Sequence, residues 1–451
     1  MPKVWIRVLS MKICAYVQDV YAKKAYKNEN YNRRSWPGFE MVLDVLRRAG
    51  HAVEYAGKST VHLYDVVLIS ITSDCDWWSF IAEREQWLKG DYKVIAGGAG
   101  VLNIKPFLSW VDVFVFGRAE NLILNIIREY QKGNQYTHES ICYSNEFKNE
   151  KSYMICQANK TYDNKFILAN GKTYSEQSIG CPNKCYFCGY TWQRRYIGDG
   201  TFTAGADSMS SGNRERTILE LVKISPEEWQ KDAPVRIVGL DGMSESMRMN
   251  ANKKITREIW REFLSRLAYI KNPHQVKVYC IVGYPNETID DWRELVEDIR
   301  IADEKIKQQK QWSLVFHITP FRPMPATPAA TWEMSYENYR GEIAKRLKQN
   351  PKMKGNIFYQ GNAYWCVEGM GTDSLAAVIL SAICLRGDEN DAENIRRLAI
   401  TKKYWALTMF QKQKTLEKYF DCDKLFGKYT WDTVPTKYLK SYIDYTKYGN
   451  R

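Results

Sequence analysis

Cys181, Cys185 and Cys188 fall within eight residues, in the order Cys-Pro-Asn-Lys-Cys-Tyr-Phe-Cys. Three thiolates on one short loop match three irons of a four-iron, four-sulfur cluster and leave the fourth iron without a protein ligand. Such an open iron is a chemical site, because a small molecule can chelate it and take an electron from the cluster. A structural zinc site competes for the same residues, but it wants four closed ligands, usually two pairs of Cys or His. No C-x2-C or H-x3-H partner stands near residues 181–188, and the chain has five histidines. Buried thiols without any ligand are the third reading. A disulfide framework fits poorly, since the eleven cysteines are odd in number and no signal peptide precedes them.

The rest of the chain must position that loop. Its 451 residues give room for about two or three domains. A hydrophobic content of 45% and a charged content of 26% are those of a globular protein. The longest apolar run, 375–385, contains Ser381 and is too short to span a bilayer. With no targeting segment the expected setting is a reducing cytoplasm, which suits an oxygen-sensitive cluster, and no membrane partner is expected. Residues 1–10 read as an extension before the first strand.

Residues 11–135 read as an alternating α/β unit. Short, β-branched runs at 12–17, 66–71, 94–97 and 111–117 have the continuity of strands buried on both faces. Helical periods at 39–48, 77–88 and 119–130 separate them. That alternation predicts a doubly wound, Rossmann-like parallel sheet with its ligand beyond the carboxyl ends of the strands. Residues 136–175 are polar and without sustained period, and read as a linker. Residues 176–330 return to strand–helix units: helices at 217–223, 256–270 and 290–306, strands at 234–241, 275–282 and 313–319. Polar loops at those strand ends are barrel grammar, and chemistry sits there. Residues 331–451 read as a helical C-terminal domain, with amphipathic helices at 375–386 and 392–407. The predicted class is therefore α/β: a doubly wound domain, a partial (β/α) barrel, and a helical domain.

The C-x3-C-x2-C spacing, with Phe187 before the last cysteine, resembles the signature loop of the radical S-adenosylmethionine (SAM) enzymes. In that family SAM chelates the open iron and is cleaved by electron transfer to methionine and a 5′-deoxyadenosyl radical. The resemblance implies a four-iron, four-sulfur cluster on Cys181, Cys185 and Cys188. It implies SAM contacts at Phe187 and at three strand ends: Asp241 and Ser244 in Gly-Leu-Asp-Gly-Met-Ser, Gly283 in Gly-Tyr-Pro-Asn-Glu-Thr, and His317 before Ile-Thr-Pro. An electron donor such as flavodoxin or ferredoxin is the implied partner. Two features depart from the pattern. Asp241 stands where the family usually has glutamate, and only about 47 residues separate Cys188 from the strand at Val235, with one helix where two βα units are usual. The usual Gly-Gly-Glu contact for the SAM amino group is not located by any motif in the sequence.

The first unit resembles the cobalamin-binding domain of one large radical SAM subfamily. The segments concerned are Ser70-Ile-Thr72-Ser, Gly97-Gly98-Ala-Gly and Phe-Gly117-Arg, which in that subfamily line the slot for the cofactor's nucleotide tail. The subfamily's D-x-H-x-x-G loop is represented by Asp19-Val-Tyr21-Ala-Lys-Lys24, without histidine or glycine. Cobalamin bound without a histidine ligand and a cofactor-free scaffold both fit that loss.

The last fifty-one residues, 401–451, carry eleven Lys/Arg against five Asp/Glu, and twelve aromatics. Charge for phosphates and rings for stacking are what a nucleic-acid groove uses, and Lys412, Lys414, Lys418, Trp431 and Tyr438 are the candidates. A solvated face over an aromatic core explains the same composition. The net charge of +13 leans toward a polyanionic partner. Three functions follow: cobalamin-dependent methylation of an unactivated carbon; cobalamin-free isomerisation or oxidation acting on a nucleic-acid base or nucleotide; or non-enzymatic nucleic-acid binding around a structural cluster.

Overall fold

The computed structural model describes residues 11–16, 37–74, 76–86, 90–167, 173–198, 208–209, 216–231, 235–271, 274–306, 312–334, 357–360, 363–366, 372–400 and 409–448. The extension at 1–10, the loop from Asp19 to Lys24 and most of the Gly/Ser-rich stretch 197–215 lie outside them. The chain divides into two compact units: Met1–Glu176 with Gly387–Tyr404 and Tyr438–Lys440, and Gln177–Arg386 with Trp405–Lys437 and Ser441–Arg451.

In the first unit, β1 (Ile13–Tyr16), α1 (Pro37–Arg48), β2 (Val53–Ala56), β3 (Val66–Ser70), α2 (Asp76–Arg84), β4 (Lys93–Gly97), β5 (Val113–Val115), α3 (Ile123–Gln131) and β6 (Ile141–Tyr143) follow in order. The sheet order is β2-β1-β3-β4-β5-β6. All neighbours are parallel except β6, which runs antiparallel to β5. The order reverses between β1 and β3, so the sheet is doubly wound. β1 and β3 are apolar almost throughout and buried, as strands covered on both faces must be. α1 begins on Pro37, whose missing N–H costs nothing in a first turn, and lays Phe39, Leu43 and Leu46 into the core. Two strands lacked a sequence signal. β2 is an edge strand of mixed burial carrying Glu54, and β6 is a three-residue strand in the polar stretch read as a linker.

In the second unit, α4 (Gly189–Gln193) follows the cysteines, then β7 (Ile237–Gly239), α5 (Glu245–Asn250), α6 (Arg257–Arg266), β8 (His274–Val282), α7 (Ile289–Ile306) and β9 (Trp312–Pro320). β7, β8 and β9 are parallel neighbours. Trp260, Phe263, Leu264, Val278, Leu295 and Phe316 belong to the core beneath them. The stretch after residue 331 is not helical throughout. Strands β10 (Ile357–Gln360) and β11 (Ala363–Cys366) form a hairpin that joins this sheet, β11 parallel to β9. A helix, Thr372–Arg386, follows and ends on a buried arginine. The Arg386 guanidinium donates to the carbonyls of Ala330, Leu425 and Gly427 at 3.1, 3.1 and 2.8 Å, pinning three segments together. Among the described residues no helix is long and apolar enough to cross a membrane.

Candidate functional site

The cysteine loop is built from short-range ties. Lys184 sits in the left-handed region at φ 51°, which turns the chain between Cys181 and Cys185. Its amide donates to Thr191 Oγ1 at 3.1 Å, and that hydroxyl donates to the Cys181 carbonyl at 2.8 Å. Thr191 thereby bridges the loop from α4, which starts directly after Cys188. Trp192, fully buried on the same helix, donates its indole N–H to the Cys185 carbonyl at 2.8 Å. From the other side, Asn252 Nδ2 donates to the Lys184 carbonyl at 2.7 Å and the Tyr186 amide donates to the Ala251 carbonyl at 2.9 Å. The backbone on both sides of Cys185 is therefore fixed. A third brace comes from the end of the described chain. The Lys184 ammonium donates to Tyr442 Oη at 2.8 Å and lies 5.2 Å from the centroids of both the Trp192 and Tyr442 rings. Tyr442 in turn donates to the Thr191 carbonyl at 3.0 Å, and Ser441 to that of Trp192.

None of the three cysteines is in a disulfide; Cys181 and Cys185 are buried and Cys188 half-buried. Burial pushes the Cys185 thiol up to about 12, opposed by the Lys253 ammonium, and pushes Cys188 up to about 11. These are directions for the metal-free loop; a coordinating cation reverses them by deprotonating the thiol outright. Among the described residues no three His, Cys, Asp or Glu side chains converge on one ion, as a mononuclear zinc site requires. A cluster has a different demand, since each thiolate takes its own iron. Three thiols on one braced loop, none of them in a disulfide, meet that demand.

The loop lies against the carboxyl ends of β7 and β8. Tyr186 and Phe187 pack on a cluster of Met247, Ala251, Tyr284, Phe321 and Ala329, with the Phe187 and Tyr284 rings 6.2 Å apart. Asp241, just beyond β7, is held at φ 56°; its carbonyl accepts from Tyr284 Oη at 3.0 Å and its carboxylate from Lys253 Nζ at 2.6 Å. Gly283 follows β8, and its amide and that of Tyr284 donate to the Glu287 carboxylate at 2.6 and 2.9 Å, a turn closed on itself. Ser244 is committed elsewhere: it caps α5 by accepting from the Met247 amide at 3.2 Å and donates to Asp291. His317, on β9, is buried and stands in register with Tyr279 of β8, their rings 5.2 Å apart. Phe187, Asp241 and Gly283 thus lie around the cysteine loop, tied through Tyr284, while Ser244 faces the helix it caps. Sequence reasoning missed Thr191, Trp192, Asn252, Lys253 and Tyr284. Their signal is a contact, and nothing in spacing or type announces it.

In the first unit, Ser70 pairs with Gly97 at the carboxyl edge of the sheet, and the Ser70 and Thr72 hydroxyls are 3.4 Å apart. The glycines nearby have internal reasons to be glycine. A Cβ on Gly98 would stand 2.4 Å from the Ile71 carbonyl oxygen, at φ 113°. One on Gly117 would stand 2.4 Å from the Cys156 carbonyl oxygen, at φ 87°. Neither position reports a ligand cradle, because the chain's own backbone fills it. Gly97 differs: its Cβ would meet only the Ala119 methyl, at an ordinary 3.5 Å.

Of the nucleic-acid candidates, Lys414 and Lys418 are exposed, Trp431 is half-buried against Tyr445, and the Lys412 side chain lies outside the described residues. Tyr438 requires a correction. It is 2% exposed, accepts from the Ile104 amide at 2.8 Å and donates to the Leu102 carbonyl at 3.1 Å, so its ring is core and no base can reach it.

No family model matches the chain. The uncharacterized protein MJ0966 of Methanocaldococcus jannaschii is 23% identical over 411 residues, spanning 79% of this chain and 85% of that protein. Among solved structures, the cobalamin-dependent S-adenosylmethionine radical enzyme OxsB with aqua-cobalamin and S-adenosylmethionine bound is similar at TM-score 0.40 and 9% identity, over 91% of this chain and 71% of that one. OxsB with aqua-cobalamin alone gives TM-score 0.24 and 10% identity, over 95% of this chain and 55% of that one.

Proposed function

We propose that the chain is a radical SAM enzyme, with a four-iron, four-sulfur cluster on Cys181, Cys185 and Cys188. The observation that carries this reading is the braced loop of three thiols seated against the strand ends that hold Asp241 and Gly283. When bound, the cluster supplies an open iron and one electron, with which SAM is cleaved to methionine and a 5′-deoxyadenosyl radical. The chain's own residues do the rest. Thr191, Trp192 and Asn252 hold the loop backbone, so the three thiolates are presented without reorganisation. Phe187 and Tyr284 form an apolar wall that excludes water from a reactive radical. Asp241 offers a carboxylate to a ribose hydroxyl, and the Gly283 turn offers backbone to an adenine.

For the first unit we take cobalamin-dependent methylation of an unactivated carbon as the finer reading, supported by Ser70, Thr72 and Gly97 standing together at the carboxyl edge of the sheet. The close contacts at Gly98 and Gly117 favour a second reading, in which this unit is a scaffold and the radical alone drives isomerisation or oxidation. Anaerobic reconstitution followed by iron and sulfide analysis, electron paramagnetic resonance and detection of 5′-deoxyadenosine tests the proposal. Four irons per chain and SAM cleavage under reductant are expected. A wild-type chain that takes up no cluster sinks it. Retention of hydroxocobalamin after desalting separates the two finer readings.

A further inference from the structure

We infer that Lys253 sets the reduction potential of a cluster held on the cysteine loop, its half-buried ammonium offsetting the charge that the arriving electron brings. The inference rests on the cluster reading above and adds a residue that this reading does not use.

Lys253 is placed by its neighbours. Ala251 and Asn252, immediately before it, are hydrogen-bonded to Tyr186 and Lys184, the residues on either side of Cys185. Asn252 is in the left-handed region at φ 54°, and the Lys253 amide donates to the Arg248 carbonyl at 2.7 Å. Arg248 is itself fully buried, its guanidinium donating to the carbonyls of Gly242, Met243 and Ile255 at 3.2, 3.2 and 2.7 Å. The segment is therefore a fixed shelf under the cysteine loop. The Lys253 side chain is 16% exposed and ion-paired with Asp241 at 2.6 Å, unlike an ordinary surface lysine that trails into solvent.

The electrostatics follow from the position. Three thiolates outweigh the formal charge of an oxidised four-iron, four-sulfur core, so the site is anionic and becomes more so on reduction. Net charge and solvent exposure are among the features that set such potentials. A fixed cation beside the loop stabilises the reduced state more than the oxidised one, and burial weakens screening. Ala251 and Asn252 tie this segment to the residues on either side of Cys185, so the Lys253 ammonium is anchored beside the loop. The Asp241 carboxylate pairs with the Lys253 ammonium at 2.6 Å and fixes its position. Asp241 moderates the effect as well as fixing the ammonium. The redox event is the addition of one electron from a low-potential donor to the cluster, with no bond made or broken.

The test is a potentiometric titration of the full chain, reconstituted anaerobically with iron and sulfide, without SAM, with dithionite as reductant and the reduced cluster read by electron paramagnetic resonance. In Lys253→Met the midpoint should fall, with a roughly tenfold loss of reduced cluster at fixed potential, about 59 mV for one electron. Lys253→Arg should keep the wild-type midpoint. Asp241→Asn should move it the other way, because an unopposed ammonium remains, and this variant decides the matter if Lys253→Met does not load. A wild-type chain without a cluster overturns the inference together with the reading it rests on. Loaded chains whose midpoints coincide in wild type, Lys253→Met and Asp241→Asn overturn the inference alone.

Discussion

Trp192 donates its indole N–H to the carbonyl oxygen of Cys185 at 2.8 Å, so one buried side chain fixes the peptide in the middle of the cysteine loop. Removing the donor while keeping a ring isolates that bond. Trp192→Phe leaves the Cys185 carbonyl without it and should cost about 1–2 kcal/mol in urea unfolding of the metal-free chain. Trp192→Ala also opens a cavity and should cost about 3–5 kcal/mol. If Trp192→Phe matches wild type in both unfolding midpoint and iron uptake, the loop does not depend on this brace.

Replacing Cys181, Cys185 or Cys188 by alanine should abolish cluster assembly and SAM cleavage together, since each thiolate takes one iron. Cys14, Cys142, Cys280 and Cys384 are buried away from the cysteine loop in sequence, and their alanine variants should assemble a full cluster. Iron and acid-labile sulfide per chain measure this. Unchanged iron content in Cys185→Ala contradicts the assignment.

Substitution at Gly98 should destabilise the first unit whether or not it binds a cofactor. Its Cβ would collide with the Ile71 carbonyl, and φ 113° strains any L side chain. Gly97→Ala, by contrast, has van der Waals room against Ala119 and should fold normally. Thermal unfolding distinguishes the two variants. Loss of hydroxocobalamin retention in folded Gly97→Ala is then the informative result, because a Gly98 variant confounds folding with binding.

If the basic C-terminal stretch binds nucleic acid, neutralising Lys412, Lys414 and Lys418 together should flatten the salt dependence and weaken binding to every sequence alike. Trp431→Ala should cost roughly 1–3 kcal/mol of affinity if the ring stacks on a base. Tyr438→Ala should instead lower unfolding stability, given its buried ring and two hydrogen bonds. Filter binding at low salt with single- and double-stranded DNA and RNA decides; no retention means that the stretch is packed aromatic core beneath a charged surface.

Much of the scaffold was legible because burial on both faces writes itself into composition. The run at 66–71 became Val66–Ser70, apolar and buried almost throughout, whereas that at 275–282 became His274–Val282, legible by alternation, with buried Val276, Val278 and Cys280 between exposed Gln275, Lys277 and Tyr279. Val53–Ala56 and Ile141–Tyr143 escaped because an edge strand with a glutamate and a three-residue strand leave no period to read. The cysteines were legible because their spacing is local. Their supports were not, since Asn252 and Tyr442 meet Lys184 across 68 and 258 positions, and no local pattern encodes such a contact. Gly98 and Gly117 are a different case: each is a readable residue whose neighbours inside the fold already require glycine.

The brace from Ser441 and Tyr442 also has a consequence for the timing of assembly. Both residues act on Thr191 and Trp192 from about 250 positions further along the chain. A ribosome therefore releases the cysteine loop long before the residues that steady it are made. Contacts of such sequence separation form late in folding. On the cluster proposal, iron delivered during synthesis would meet a loop still without that brace and iron delivered afterward one already set, which would place maturation of the site after translation.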